Sequence, residues 1–315
     1  MRPTRGLRFE AKFPRTTASL GLVLALVAGA ASAGDLVRTV RLKLSAGDLA
    51  SGESAVESYR RASGVDPEYL DAVGWLARGA QMLGRPDVAA GYVAELRREI
   101  PEEKPELVVP LGAAIEVEGR LRAAREGRGE ALRFLEGELA RARDVALRSR
   151  IWKNINLLSL EGQRAPEIGY AEAAGPARSR LRELEGRPVL LFFWAPWCGD
   201  CKAQAASLAA VYQKYHPQGL TVIAPTRLYG SGREGKPATL AEEKAEIEKA
   251  WAELYKGLEG VPVPIDTETM VRYGASATPT FVLVDRRGVV RSYTPTRLTE
   301  AALSRRIEEV LGDAP

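Results

Sequence analysis

The chain has 315 residues and two cysteines, and those two lie together in Trp197-Cys198-Gly199-Asp200-Cys201. Thiols at that spacing can close a small ring through the first turn of a helix. The run before them, Val189-Leu190-Leu191-Phe192-Phe193-Trp194, is continuously apolar, as in a buried central strand, and Cys198 to Tyr215 reads as a helix. Cys198 would then sit where unpaired backbone N–H groups and the positive end of the helix dipole stabilise a thiolate. Such a thiolate attacks a disulfide, and Cys201 resolves the mixed disulfide. A lone Cys-x-x-Cys also fits half of a metal site, but there is no second pair. The single His, His216, leaves too few soft ligands for structural zinc, and one His with three Met is thin for copper delivery. The expected working group is therefore a redox-active disulfide, with no metal and no bound cofactor.

The formal charge of +4 suggests an acidic partner until its location is considered. Residues 1–33 hold five of the 45 cations and one of the 41 anions, so the remainder carries 40 of each and has no basic face for nucleic acid. That leader reads as an export signal: a cationic stretch, an apolar run from Leu20 to Ala30, and Ala31-Ser32-Ala33 as the cleavage pattern. The run is short of the roughly 20 residues that a membrane span needs. An uncleaved leader would tether the protein to the membrane, and in either case a periplasmic or otherwise extracytoplasmic location is expected.

Elements that would position the cysteines follow after a helical half. From about Ser45 to Gly162, apolar residues recur at three- and four-residue spacing, as in Tyr69, Val73, Leu76, Ala80 and Leu83. Asp66-Pro67 reads as an N-cap with proline at the first helical position, and Gly84 closes that helix before Asp87 opens the next. Gly84-Arg85-Pro86-Asp87 returns loosely as Gly127-Arg128-Gly129-Glu130, which suggests stacked helical hairpins of a tetratricopeptide-like kind; an irregular helical bundle fits equally.

Past an Ala/Gly/Pro-rich segment the period changes. Leu220–Ala224 and Thr280–Val284 read as strands, and Val289–Tyr293 pairs with the latter across Arg286-Arg287-Gly288. Thr239 with Glu242 forms a capping box for a helix whose inner face is Ile247, Trp251, Leu254 and Leu258, and a last helix spans about Thr299 to Leu311. The expected organisation is a leader (1–33), an all-α half (34–162), a linker (163–178) and an α/β domain (179–315).

The stretch Phe193-Trp194-Ala195-Pro196-Trp197-Cys198-Gly199-Asp200-Cys201-Lys202 resembles the active-site signature of thioredoxin-fold proteins, and Thr278-Pro279-Thr280 resembles their cis-proline loop. With the leader, the Ala165-Pro166 entry and the long insertion before Val261, the C-terminal half resembles exported TlpA/ResA-type thiol–disulfide oxidoreductases. The resemblance implies a thioredoxin-like fold, with a central mixed sheet flanked by helices. It implies Cys198 as nucleophile, Cys201 as resolving thiol, and a cis Pro279 that sets the Thr278 backbone where an extended substrate can pair. Trp197 would shield the pair, and Gly199, Asp200 and Lys202 would tune it.

The departures are chemical. Thioredoxins carry a buried Asp where this chain has Phe192, and ResA-like members carry a Glu where it has Gln204, so both usual proton acceptors near the resolving thiol are missing. Asp200 opposes a thiolate at Cys198 and Lys202 favours it. Glu185 is a remote substitute for the lost acid. Arg227 and Tyr229 fit either the groove or an ordinary loop, and His216 fits a surface loop.

The expected activity is disulfide exchange with cysteine pairs of other exported proteins, with a redox partner recycling the disulfide. The alternative is a scaffold whose helical half is the working surface. Thiol peroxidase chemistry is disfavoured, since Ala195 stands where such enzymes carry Thr or Ser.

Overall fold

The computed structural model describes residues 34–174, 180–230 and 238–312. The expected export leader and residues 175–179 of the expected linker lie outside the described residues. Seven helices come first: α1 (Asp35–Ser45), α2 (Leu49–Ser63), α3 (Pro67–Met82), α4 (Pro86–Glu99), α5 (Val108–Arg125), α6 (Arg128–Arg141) and α7 (Val145–Ser159). Helix thus begins about ten residues before the expected Ser45. Glu68 accepts the N–H groups of Gly34 (2.8 Å) and Leu36 (2.9 Å), a cap that the local sequence does not reveal.

Asp66 caps α3 by accepting the Tyr69 N–H at 2.8 Å, with Pro67 at the first position. Gly84 turns at φ +71°, and α4 starts at Pro86, one residue before the expected Asp87, because proline's fixed φ suits a first helical position. The core of this half is built on α3 and α5. A Cβ at Gly74 would lie 2.9 Å from that of Ala113, so the two helices approach at backbone distance there.

Among the described residues the second half holds six strands: β1 (Glu172–Ala174), β2 (Val189–Phe193), β3 (Thr221–Ile223), β4 (Val263–Ile265), β5 (Thr280–Val284) and β6 (Val290–Thr294). Its helices are α8 (Gly199–Tyr215), α9 (Leu240–Leu254), α10 (Thr267–Arg272) and α11 (Glu300–Gly312). One sheet runs β3-β2-β5-β6, with β2 parallel to β3 and antiparallel to β5. β1 and β4 pair antiparallel, and the chain after β3 joins β4 through the Thr226 N–H to the Pro264 carbonyl at 2.9 Å.

Every residue of β2 is buried, as its unbroken apolar run predicts. Leu190 and Phe192 face the layer containing α8, α9 and α11, while Leu191 and Phe193 face Tyr273 and Tyr293. The fold is thioredoxin-like, α/β after a helical half. Two strands and a helix went unforeseen, β1, β4 and α10; each is short, and β4 contains Pro264. The capping box at Thr239 forms as expected, but α9 stops at Leu254, so Leu258 reaches the core from the following turn.

The segment read as a linker has structure of its own. The N–H of Gly162 donates to the Val290 carbonyl (2.8 Å), Val290 donates back to Gln163 (2.9 Å), and Ala165 donates to Gly288 (2.9 Å). Asn156 on α7 donates to the Arg272 carbonyl at 2.9 Å. Gly274, at φ +63°, presses on the α7 backbone, where a Cβ would come within 2.8 Å of the Trp152 carbonyl carbon and still closer to Lys153. The helical half is thereby fastened to the segment that leads from α10 towards Thr278.

Candidate active site

β2 delivers the chain to the site and a set of hydrogen bonds fixes the turn. Buried Trp194 donates its indole N–H to the Ala224 carbonyl (3.1 Å) and its backbone N–H to Pro225 (3.2 Å), and it accepts the Thr226 hydroxyl at 2.9 Å. Cys198 is then the N-cap of α8. Its sulfur accepts the Cys201 N–H at 3.0 Å, and its carbonyl accepts the Lys202 N–H at 3.1 Å. One of the four orphan donors at the helix start thus points at the sulfur that must carry negative charge. Cys198 and Cys201 form a disulfide across Cα atoms 5.2 Å apart. Cys198 keeps 5% of its surface and Cys201 none, so an incoming sulfur can reach only the first.

From the other side comes the loop before β5. The Thr278–Pro279 peptide is cis, and the Thr278 carbonyl oxygen lies 3.3 Å from the Cys198 sulfur. The Thr280 hydroxyl ties the loop by donating to the Ala277 carbonyl at 2.6 Å. Trp197 is 63% exposed, and its ring meets Tyr229 edge-on with centroids 5.4 Å apart. Gly199 opens α8, while Asp200 and Lys202 stand exposed on its first turn. Asp200 pairs with Arg297 at 3.5 Å, which reduces its opposition to a thiolate at Cys198.

The positions of the missing carboxylates are filled by neutral groups. Phe192 packs against Tyr255 and Phe281, with ring centroids 5.6 and 5.3 Å away. Gln204 is buried one turn beyond Cys201, and its amide makes two bonds to one residue. Its Nε2 donates to the Leu298 carbonyl (2.9 Å) and its Oε1 accepts the Leu298 N–H (3.0 Å).

Among the described residues the buried carboxylates are Glu116, Glu243 and Asp285, and each is committed elsewhere. Glu116 lies among cations of the helical half, and Asp285 accepts the Arg287 and Val289 N–H groups at 2.9 Å. Glu243 accepts the N–H groups of Tyr229 and Gly230. Glu185 pairs with Arg164 and precedes β2, whereas the cysteines follow it, so it is no substitute. His216 stacks on Tyr212, 4.6 Å between centroids, with Nδ1 3.0 Å from the Leu220 carbonyl, in a tight turn after α8. Burial pushes the Tyr255 phenol up, and its buried hydroxyl has no partner.

Sequence reasoning missed Arg297, Glu243 and the double bond of Gln204. All three act across more than ten residues of chain, which leaves no local signal.

Residues 160–305 match the Redoxin family model. The same half is 27% identical over 151 residues to the thiol–disulfide oxidoreductase ResA of Geobacillus thermodenitrificans, covering 47% of this chain and 77% of the relative. It is 26% identical over 149 residues to the thioredoxin-like protein YneN of Bacillus subtilis, covering 47% and 79%. Among solved structures, a putative thiol:disulfide interchange protein DsbE from Chlorobium tepidum is similar at 25% identity and a TM-score of 0.39, covering 48% of this chain and 98% of that one. The C-terminal half of this chain is thus a Redoxin domain of the ResA thiol–disulfide oxidoreductase type.

Proposed function

We propose that the protein is an exported thiol–disulfide oxidoreductase that exchanges disulfides with cysteine pairs of other exported proteins. The observation that carries this is the Cys198 sulfur, held at the N-cap of α8 with the Cys201 N–H at 3.0 Å and the Thr278 carbonyl at 3.3 Å. In the reducing direction, the Cys198 thiolate attacks a substrate disulfide. A mixed disulfide forms and the substrate's other sulfur leaves as thiolate. The Cys201 sulfur, having lost its proton, then attacks Cys198, closing the 198–201 disulfide and releasing the second substrate thiol. Two electrons and two protons pass from the cysteine pair to the substrate, and the oxidising direction is the reverse. An extended substrate would lie along the Thr278 backbone as an added strand, beside Trp197.

A second exported redox protein would recycle the pair, and the helical half would present or recruit partners. Export rests on the leader residues. No helix among the described residues is long and apolar enough to cross a membrane.

A Cys201→Ser variant tests this proposal by blocking release. Mixed disulfides with exported proteins, dissolved by dithiothreitol and absent from Cys198→Ser, are expected together with insulin reduction by the wild type. Failure of both would overturn the enzyme. Neutral Phe192 and Gln204 favour one other reading, a scaffold with an inert pair. A Cys198 pKa near that of a free thiol would select it.

A further inference from the structure

The loop after β3 carries three groups that the exchange chemistry does not use. Arg227 lies over the Tyr229 ring with its guanidinium carbon 4.5 Å from the centroid, and Tyr229 in turn meets Trp197 at 5.4 Å. A guanidinium, a phenol and an indole therefore form one continuous contact that ends at the residue before Cys198. The loop beneath them is tied at both ends. At the start, the Thr226 N–H donates to Pro264 and its carbonyl accepts the Asp266 N–H, each at 2.9 Å. At the end, buried Glu243 accepts the N–H groups of Tyr229 and Gly230. That carboxylate is spent on backbone, and no carboxylate among the described residues lies within ion-pair range of Arg227. Lys202, on the first turn of α8, is likewise exposed and without an ion pair among the described residues, while the one acid there, Asp200, is paired with Arg297.

We propose that Arg227 is a specificity-determining residue which, held by Tyr229 on the clamped loop, selects substrate segments that carry a carboxylate beside the reacting cysteine. Buried Thr226 and the Glu243 clamp fix the backbone on either side of Arg227, so less ordering is left to be done on binding. The stacked guanidinium keeps its outward N–H groups for a bidentate carboxylate, a geometry that Lys202 cannot offer. Trp197 and Tyr229 add aromatic faces for the substrate's side chains. This inference rests on the exchange reading above and narrows it to a substrate class.

The test uses disulfide peptides of one sequence with Asp, Asn or Lys at the positions flanking a cysteine, reacted with the reduced full-length protein. The second-order rate of exchange is the readout. Wild type is expected to prefer the Asp over the Lys peptide by about three- to fivefold, the scale of one exposed ion pair. Arg227→Glu should invert that ratio, Arg227→Gln should bring it to about one, and Arg227→Lys should keep the sign. The preference should collapse at 1 M salt, where charges are screened beyond about 3 Å. Equal rates for the three peptides with the wild type, or an unchanged ratio in Arg227→Glu, would overturn the specificity while leaving exchange intact. Absence of exchange with all of them and with insulin would overturn the exchange reading and the specificity with it.

Discussion

Gln204→Glu restores a carboxylate one turn past Cys201, and the structure sets what it should cost. Wild-type Gln204 donates to the Leu298 carbonyl at 2.9 Å and accepts its N–H at 3.0 Å. An ionised Glu keeps only the second bond. It leaves the carbonyl without its donor, places two acceptors together, and buries a charge at a site that is 2% exposed. The surviving N–H to carboxylate bond strengthens and offsets part of this. An unsatisfied buried acceptor costs about 1–3 kcal/mol and a buried charge more, so a net loss of about 2–4 kcal/mol is expected at pH 8.

The sign of the pH dependence follows from burial, which pushes this carboxyl above the ordinary glutamate value. The native state then prefers the protonated form, so the deficit grows as pH rises from about 4 through the raised value. Below that window the acid O–H can donate to Leu298 and both bonds return. Urea denaturation of oxidised protein at pH 4 and pH 8 measures it. The same carboxylate, as a base for the Cys201 proton, should speed release of a pre-formed mixed disulfide by about tenfold or more, read by stopped flow. A variant as stable as wild type at pH 8 would refute the clamp, and unaltered release would refute the proton-acceptor account.

Gly274→Ala should cost about 2–5 kcal/mol in urea denaturation, because a Cβ there meets the Lys153 and Trp152 backbone and its φ of +63° disfavours any side chain. A loss below about 0.5 kcal/mol would show that α7 can retreat freely. Glu116 is pushed up by burial, but Lys153, Arg78 and Arg120 together outweigh this and hold its carboxyl at about 2. Its share of stability is present above the ordinary glutamate value and is lost as pH falls towards about 2, worth about 3 kcal/mol across that window in acid-unfolding titrations. Glu116→Gln should cost about 3–5 kcal/mol at pH 7 by leaving three cations around a neutral group, and a neutral effect would refute the network.

The chemistry was legible in the sequence because it is local. A Cys-x-x-Cys between an apolar strand and a helix places one sulfur at an N-cap whatever surrounds it, and Asp66-Pro67 and Thr239-x-x-Glu242 mark helix starts within four residues. The unbroken apolar run of β2 likewise announces burial on both faces. Short β1 and β4 escaped because three residues carry no period, and they exist through pairing with each other and with the chain after β3.

What only the tertiary structure decided is the environment of that sulfur. Gln204 and Phe192 showed in the sequence that two acids are missing, but not that the Gln204 amide is bound to Leu298, 94 residues away. The pairing of Asp200 with Arg297, the Glu243 clamp and the approach of Gly274 to α7 are equally long-range. Capping and strand burial are fixed by neighbours along the chain, whereas charge compensation at the redox pair depends on loops brought together only when the sheet closes.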